Sequence, residues 1–307
     1  MLRRIPLGVW LSLAAFAAVA AGVWGFFQFL VLGFLAGPES ERVAGPAVVG
    51  VLRIEGGIFN SREAVRAIER LQRTPEVKSV LLRIESPGGG VSPTQEIYEA
   101  LLGLRRSGRK VVASMGGVAA SGGYYLAAAA DKIYANPGTI TGSIGVVMAL
   151  PNLEKALGTV GLQMNVIKSA PHKDAGSPFR PMTEKDRAIF QRVVDDTYGQ
   201  FVRAVEEGRK LPREKVLEVA DGSIFSGERA KELGLVDALG TEREALLEAA
   251  RLGGIPGEPK LFEVKPRAGL WSLLRGMARP WTGWLGWEGL RFWGDAPAVL
   301  EYMWRLP

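Results

Sequence analysis

The sequence predicts an α/β domain that follows a hydrophobic N-terminal segment. Runs of β-branched residues alternate with segments in which apolar residues recur at helical spacing. Ahead of this alternation, the chain from Ile5 to Pro38 carries no charge. Hydrophobic residues make up 47% of the chain and charged residues 23%, which is typical of a globular protein.

The uncharged run predicts a membrane anchor at residues 7–37. It is longer than the ~20 residues that cross a bilayer as a helix. A cleaved signal peptide has an apolar region of only ~7–15 residues, so the length favours an anchor that is retained. Arg3 and Arg4 precede the run, and the first charge after it is Glu39. The positive-inside rule therefore predicts that residues 1–6 lie in the cytoplasm and the body of the protein outside it.

A polar linker at residues 38–46 leads into the alternating region, which predicts one domain over residues 47–254. Its predicted strands are Val48–Ile54, Ser79–Ile84, Lys110–Met115, Lys132–Ala135, Ile144–Met148 and Leu162–Lys168. Its predicted helices are Glu63–Gln72, Thr94–Arg105, Glu184–Glu207, Leu211–Ala220, Glu228–Leu233 and Glu242–Leu252. Thr183 followed by Asp186 has the spacing of a helix cap.

Residues 255–307 form a C-terminal tail of different composition. Six of the eight tryptophans lie between Trp271 and Trp304, interleaved with arginines. Such a tail can lie in a membrane interface, where aromatic rings and cations both find partners. It can equally pack onto its own domain or a neighbouring subunit. The net charge of +6 is spread along the chain, which disfavours a nucleic-acid partner.

Ser121 is the first candidate for chemistry. It stands in GGVAASGGYYLAAAA (116–130), between a predicted strand and a small-residue helical run. An extended peptide could reach a hydroxyl at such a junction, and the Gly122 N–H beside it could stabilise an oxyanion. A serine that caps a helix is the commoner explanation of the same pattern.

A serine nucleophile needs a base, and the chain has one histidine and no cysteine. His172 and its neighbour Lys173 lie together in the loop KSAPHKDAGSP (168–178). A lysine can serve as the base where burial favours its neutral form. Asp174 would oppose that role, so its side chain is expected to point elsewhere. The spacing alone does not decide whether His172 is the base, whether Lys173 is the base, or whether this is an ordinary surface loop.

The segment SPGGG (86–90) ends a predicted strand and precedes a helix. Its glycines could present backbone N–H groups to an oxyanion, or could simply form a turn. The nucleotide-binding patterns GxGxxG and GxxxxGK[ST] are absent here, which disfavours a phosphate loop.

Taken together, these motifs resemble the signal peptide peptidase A family in its short, membrane-anchored form. The motifs are SPGGG, ASGGYY (120–125), TGSIGV (141–146), HKDAGSP (172–178) and DGSIFSGERAKELGLVD (221–237). Their order and spacing carry the resemblance, which covers about residues 47–240.

The resemblance implies a Clp-protease-like (crotonase-type) fold and a Ser/Lys dyad. Ser121 would be the nucleophile and Lys173 the general base, with Ser143 holding the lysine by a hydrogen bond. Gly88 and Gly122 would supply the oxyanion N–H groups. The family needs no metal and no other cofactor.

The family cleaves remnant signal peptides in the membrane, so the resemblance also implies apolar peptide substrates. It implies a homo-octamer in which each dyad is shared between neighbouring chains. Three alternatives stay open: a crotonase-type acyl-CoA enzyme, a membrane serine peptidase that associates with stomatin-like proteins, and a non-catalytic membrane scaffold. Labelling of Ser121 by a fluorophosphonate would exclude the first and the third.

Overall fold

The computed structural model describes residues 47–264, the backbone of residues 301–303, and three helical residues near the N-terminus, Gly22, Trp24 and Gly25. All of the predicted anchor at residues 7–37 except these three residues, and most of the predicted tail, therefore lie outside the described residues. The chain divides into the units Met1–Ala44 and Gly45–Pro307, and all of the structure below belongs to the second. In the part that is described, no helix is both long enough and apolar enough to cross a membrane.

The described strands and helices alternate along the chain, as the sequence predicts. The strands are β1 (Val48–Glu55), β2 (Val77–Ser86), β3 (Gly88–Gly90), β4 (Lys110–Ala120), β5 (Lys132–Ala135), β6 (Ile140–Gly142), β7 (Ile224–Ser226), β8 (Ala238–Leu239), β9 (Leu261–Glu263) and β10 (Glu301–Met303). The helices are α1 (Arg62–Arg73), α2 (Val91–Arg106), α3 (Gly122–Ala128), α4 (Glu154–Thr159), α5 (Glu184–Arg209), α6 (Arg213–Leu217), α7 (Gly227–Glu232) and α8 (Glu242–Leu252).

The main sheet is predominantly parallel, with strands in the order β7-β6-β4-β2-β1-β9. β4 is long enough to pair with β5 through Val112–Ser114 and with β6 through Val118–Ala120. Only the β6–β7 pair of this sheet is antiparallel among the described residues. Helices cover a sheet of this kind on both faces, which explains why β1, β2 and β4 read as nearly continuous apolar runs.

One cluster of the core lies where α8 packs on the centre of the sheet. Small residues on α8 allow this close approach, and they contact apolar side chains of β1, β2 and β4. The buried residues of this cluster are Val49, Val51, Leu81, Val112, Ala245, Ala249, Ala250 and Ile255.

The register of β2 against β4 brings two predicted motifs to one edge of the sheet. The two strands are parallel, and Ser86 near the end of β2 is the partner of Ala119 near the end of β4. SPGGG begins at Ser86, the last residue of β2, and Ser121 follows directly after β4. In α/β sheets, ligands bind at this carboxyl edge.

Two predicted strands are wrong. Ile144–Met148 is irregular, because the strand before it ends at Gly142 and both Gly142 (φ 80°) and Ser143 (φ 50°) leave the extended conformation. Leu162–Lys168 is also irregular. Its apolar side chains are largely exposed, Ile167 completely, so its pattern reflects no burial against this chain.

Other differences concern the ends of elements. The predicted helix Leu211–Ala220 shortens to α6, with Pro212 at its N-cap. β9 pairs with β1, so the sheet continues past Gly254, where the domain was predicted to end. The predicted cap of α5 is confirmed: Thr183 Oγ1 accepts from the Asp186 N–H (3.2 Å), and Asp186 Oδ2 accepts from the Thr183 N–H (3.1 Å).

Candidate active site

Ser121 joins β4 to α3 in a conformation that serine rarely adopts. Its φ is 53° and its ψ is −116°, and it is 2% exposed. Its backbone N–H donates to the Gly142 carbonyl (2.8 Å), and its carbonyl accepts from the Tyr125 N–H (2.8 Å). Its hydroxyl makes no capping hydrogen bond to α3, which argues against the helix-cap explanation. Strain of this kind, on the order of 1–3 kcal/mol, is concentrated at functional sites.

Close packing explains the glycines and alanines around Ser121. A Cβ at Gly123 would stand 2.7 Å from the Ser86 carbonyl oxygen, so only glycine lets α3 begin this close to the end of β2. Tyr124, Leu126 and Ala127 are fully buried beyond it. The glycines therefore place the start of α3, and with it Ser121, against the SPGGG segment.

The three glycines of SPGGG form the short strand β3 beside this junction. Gly88 has a φ of 105°, and a Cβ at Gly89 would overlap the backbone of Ile58. Ile58 pairs with this strand: its N–H donates to the Gly88 carbonyl and its carbonyl accepts from the Gly90 N–H, both at 2.9 Å. The Gly88 N–H, the predicted oxyanion donor, donates to Ser86 Oγ (3.1 Å), which itself donates to the Gly56 carbonyl (2.6 Å).

Ser121 and Ser143 line one cavity of about 380 Å³. Ser143 is also strained, with a φ of 50°, and its N–H donates to the Ser223 carbonyl (2.7 Å). Among the described residues, three that are not glycine have a positive φ, and two of them are these serines. Val146, Val147, Val194 and Tyr198 also line the cavity.

The same cavity holds two carboxylates that the sequence analysis missed, Asp195 and Asp221. Hydrogen bonds from Ser223 hold the pKa of Asp221 below its usual range. Asp195 accepts a hydrogen bond from the Gln191 amide (2.7 Å). Asp221 opens the motif DGSIF and could have been singled out there, whereas Asp195 lies on the long helix α5 with no signal around it.

The two candidate bases, His172 and Lys173, lie outside this cavity. His172 and Lys173 are exposed, and no lysine or histidine is present among the described residues that line the cavity. Within one chain, Ser121 and Ser143 line the same cavity, whereas Lys173 is not part of its lining. Gly122 follows Ser121 in the chain, and Gly88 lies two residues beyond Ser86, the β-sheet partner of Ala119.

Ion pairs hold the loop that carries Lys173. Asp174 binds Lys168 (2.7 Å) and Arg180 (3.0 Å), and Arg180 binds Asp186 at the start of α5 (2.6 Å). Hydrogen bonds from Arg180 and then Lys168 hold the pKa of Asp174 well below its usual range, and Arg180 does the same for Asp186. The Asp174 carboxylate is thus engaged by two cations of its own loop region.

Sequence comparisons relate the chain to peptidases. The profile of Peptidase family S49 matches residues 103–255, and the Clp protease profile matches residues 59–141. The mixed α/β fold with its parallel-rich sheet fits the Clp-protease-like fold.

Three relatives illustrate the similarity. A "Putative protease" of Synechocystis sp. is 47% identical over 66% of this chain and 74% of its own length. The "Putative signal peptide peptidase SppA" of Enterococcus faecium is 36% identical over 68% of this chain and 63% of the relative. "Serine protease SPPA, chloroplastic" of Arabidopsis thaliana is 31% identical over 79% of this chain and 36% of the relative.

Proposed function

The chain belongs to peptidase family S49 and is a serine peptidase, and from that premise we propose that it hydrolyses apolar peptides with a dyad of Ser121 and Lys173. The observation that carries the proposal is the state of Ser121. It is buried and strained, and its hydroxyl makes no capping bond at the cavity it shares with Ser143. A serine that only capped α3 would need neither the burial nor the strained backbone, and its hydroxyl would make the capping hydrogen bond.

The proposed reaction passes through an acyl-enzyme. Ser121 Oγ attacks the peptide carbonyl carbon while the neutral Lys173 amine takes its proton. The carbonyl oxygen becomes an oxyanion and receives hydrogen bonds from the N–H groups of Gly88 and Gly122. The C–N bond then breaks, and the leaving amine takes the proton from Lys173. Water next attacks the ester while Lys173 takes a proton from it, and Lys173 returns that proton to Ser121 Oγ when the ester bond breaks. The hydrogen bond from the Gly88 N–H to Ser86 Oγ must lengthen before this N–H can donate to the oxyanion.

Lys173 reaches Ser121 from a neighbouring chain in this proposal. The segment between the cavity and α5 carries exposed apolar side chains, which a second copy would cover: Val147, Leu153, Val160, Leu162, Met164, Val166, Ile167 and Met182. Ser143 would hold the Lys173 amine beside Ser121 by a hydrogen bond. A homo-octameric ring, as the family resemblance implies, would repeat this contact around the assembly.

The proposed substrates are remnant signal peptides and other extended apolar peptides. The valines that line the cavity suit apolar side chains. The proposed anchor at residues 7–37 would hold the enzyme at the membrane where such peptides remain, with the peptidase domain (47–254) outside the cytoplasm. Protease added to intact spheroplasts should then degrade the domain. Full protection until lysis would reverse the proposed orientation.

A fluorophosphonate probe tests the nucleophile directly. The intact protein should be labelled once, and peptide mapping should place the label on Ser121. Ser121→Ala should abolish labelling and peptide hydrolysis with unchanged circular dichroism, because the methyl group fits a small-residue site. Ser107→Ala, at the exposed end of α2, is the matched control and should label normally. A label on another serine, or full activity of Ser121→Ala, would refute the assignment.

A further inference from the structure

Four cations and one carboxylate line a second surface cavity, of about 340 Å³. The cations are Arg105, Arg106, Arg109 and Lys110, and the carboxylate is Asp131. We propose that this cavity binds a phosphate group, carried either by a membrane lipid or by a free phosphate compound. The proposal does not depend on the proposed peptidase mechanism, because the cavity and the candidate active site lie at opposite edges of the sheet.

The cavity lies at the amino edge of the sheet. Lys110 begins β4, and its partner on the parallel strand β2 is Ser79, near the start of that strand. Ser121 follows the end of β4, so the length of this strand, roughly 30 Å at ~3.3 Å per residue, separates the two sites. β1 begins at the same amino edge, where Val48 pairs with Val77. The chain therefore enters the sheet at the edge that carries the cavity.

The single carboxylate does not balance the cations around it. Asp131 lies 3.2 Å from the Arg105 guanidinium and 3.6 Å from the Lys110 amine. Arg106 approaches Glu99 only to 3.9 Å, and both side chains are exposed, so this pair contributes little. With four cations and one carboxylate, the lining carries a net charge of +3.

Arg109 has the least compensation of the four cations. Its guanidinium donates to Ser107 Oγ (3.0 Å) and to the carbonyls of Gln72 (2.5 Å) and Thr74 (3.4 Å), which are all neutral. Its Nε is buried and has no hydrogen-bond partner in the part of the chain that the structure describes. A half-buried guanidinium with neutral partners keeps an uncompensated charge, which an anion in the cavity would balance.

A phosphate group suits this set of donors. Guanidinium groups bind phosphate through paired N–H donors, and the Lys110 amine adds a compact point charge. The volume lies at the lower end of the range for ligand pockets, which fits a phosphate with a small headgroup. Anionic lipids are one source of such a group, because basic residues near a membrane attract them. A soluble phosphate compound is the other source.

A purely structural explanation makes a different prediction. Arg105 and Arg106 lie in the last turn of α2, where cations interact favourably with the helix dipole, and Arg109 holds the end of α1. If this were their whole role, phosphate and chloride at equal ionic strength would affect the cavity alike. A bound phosphate would instead shield Lys110, whose side chain is 51% exposed.

The first test measures the acetylation rate of Lys110 by mass spectrometry in the full-length protein, held in a neutral detergent. Inorganic phosphate should slow this reaction about fivefold or more relative to chloride at the same ionic strength, once its concentration exceeds Kd several-fold. Lys78 lies at the same edge of the sheet, near the start of β2, but does not line the cavity. It is the matched control and should react at the same rate in both salts.

Variants test whether the protection belongs to this cavity. Arg106→Gln removes an exposed cation, so the fold should be kept, and the phosphate concentration for half-protection should rise about tenfold. Arg109→Lys should also raise it, because lysine keeps the charge but lacks the planar donors. Arg229→Gln removes an exposed arginine on α7 and should leave it unchanged. Unchanged half-protection in both cavity variants would overturn the proposal.

Lipid discs separate the two sources of phosphate. Protection of Lys110 in discs of anionic phosphatidylglycerol, without added phosphate and relative to discs of zwitterionic phosphatidylcholine, would assign the site to a lipid headgroup. Protection that requires inorganic phosphate in both kinds of disc would assign it to a free phosphate compound. Either result supports the phosphate site. Absence of protection in every arm, or equal protection of Lys78, would overturn it, and neither readout depends on peptidase activity.

Discussion

At the residue scale, the site depends on two serines held in backbone conformations that favour glycine. Ser121 and Ser143 have φ values of 53° and 50° and line the same cavity. The motifs ASGGYY and TGSIGV were recognisable in the sequence, but the strain was not, because propensities assign serine to caps and turns. The carboxylate of Asp195 also reaches the cavity from α5, and helical periodicity contains no signal for that.

The identity of the base gives a residue-scale prediction. Only an uncharged amine can accept the Ser121 proton, so activity should rise with pH and reach a plateau where the amine is neutral. Lys173→Arg should lose at least ~100-fold in kcat/KM at every pH, because a guanidinium stays protonated. His172→Ala is the matched control from the same loop and should keep most activity. An inactive His172→Ala together with an active Lys173→Arg would identify histidine as the base.

At the element scale, the loop that carries Lys173 is positioned by Arg180, which joins Asp174 to the first turn of α5 through Asp186. The sequence predicted α5 and its cap correctly because both are local patterns. It wrongly predicted a strand at Leu162–Lys168, since the exposed apolar residues there only imitate a buried strand. In the structure these apolar side chains, Leu162, Met164, Val166 and Ile167, are at least half exposed, so they lack the burial that the pattern implied.

Removal of Arg180 should loosen this loop. Arg180→Gln is expected to lower kcat/KM by about tenfold and to speed cleavage of residues 168–182 by an added protease, because Asp174 and Asp186 lose their shared partner. Arg251→Gln breaks an equally short ion pair with Glu248 on α8 and serves as the control, with both readouts unchanged. Equal protease sensitivity of the two variants would contradict the role given to Arg180.

The same ion pairs predict how the loop responds to acid. Arg180 lowers the folded-state pKa of Asp174 and Asp186, so their stabilisation is complete above the unfolded value of ~3.9 and is lost as pH falls through the folded value. Protease resistance of the loop should stay constant from neutral pH to about pH 4 and decline only below it. An acid-stable protease provides the measurement. A decline that is already complete well above about pH 4 would contradict this origin.

The strand β3 leaves no room for a side chain at its centre. Gly89→Ala would drive a Cβ into the Ile58 backbone, so we expect a loss of ~1–3 kcal/mol in the free energy of unfolding together with loss of peptidase activity. Gly138→Ala meets no atom within 4 Å and should change stability by less than ~0.5 kcal/mol. Urea denaturation and kcat/KM measure both effects. Wild-type activity in Gly89→Ala would show that β3 is not part of the active site.

At the scale of the whole molecule, the alternation of strands and helices was enough to predict an α/β domain. The strand order was not predictable, because β4 splits its pairing between β5 and β6 and the short strands β7, β8 and β9 carry no clear pattern. The order of five motifs pointed to the peptidase family, which the S49 match confirms. That Lys173 lies outside the cavity of its own chain could come only from the structure.

The central claim is that Ser121 of one chain works with Lys173 of the next, and complementation tests it most directly. Chains carrying Ser121→Ala and chains carrying Lys173→Ala are each expected to be inactive, and they are co-expressed with different tags so that mixed assemblies can be purified. With random head-to-tail neighbours, about a quarter of the sites regain both groups, so we predict about a quarter of the wild-type activity. Purified mixed assemblies that recover no activity would contradict the shared dyad, since a dyad within one chain cannot be restored by mixing.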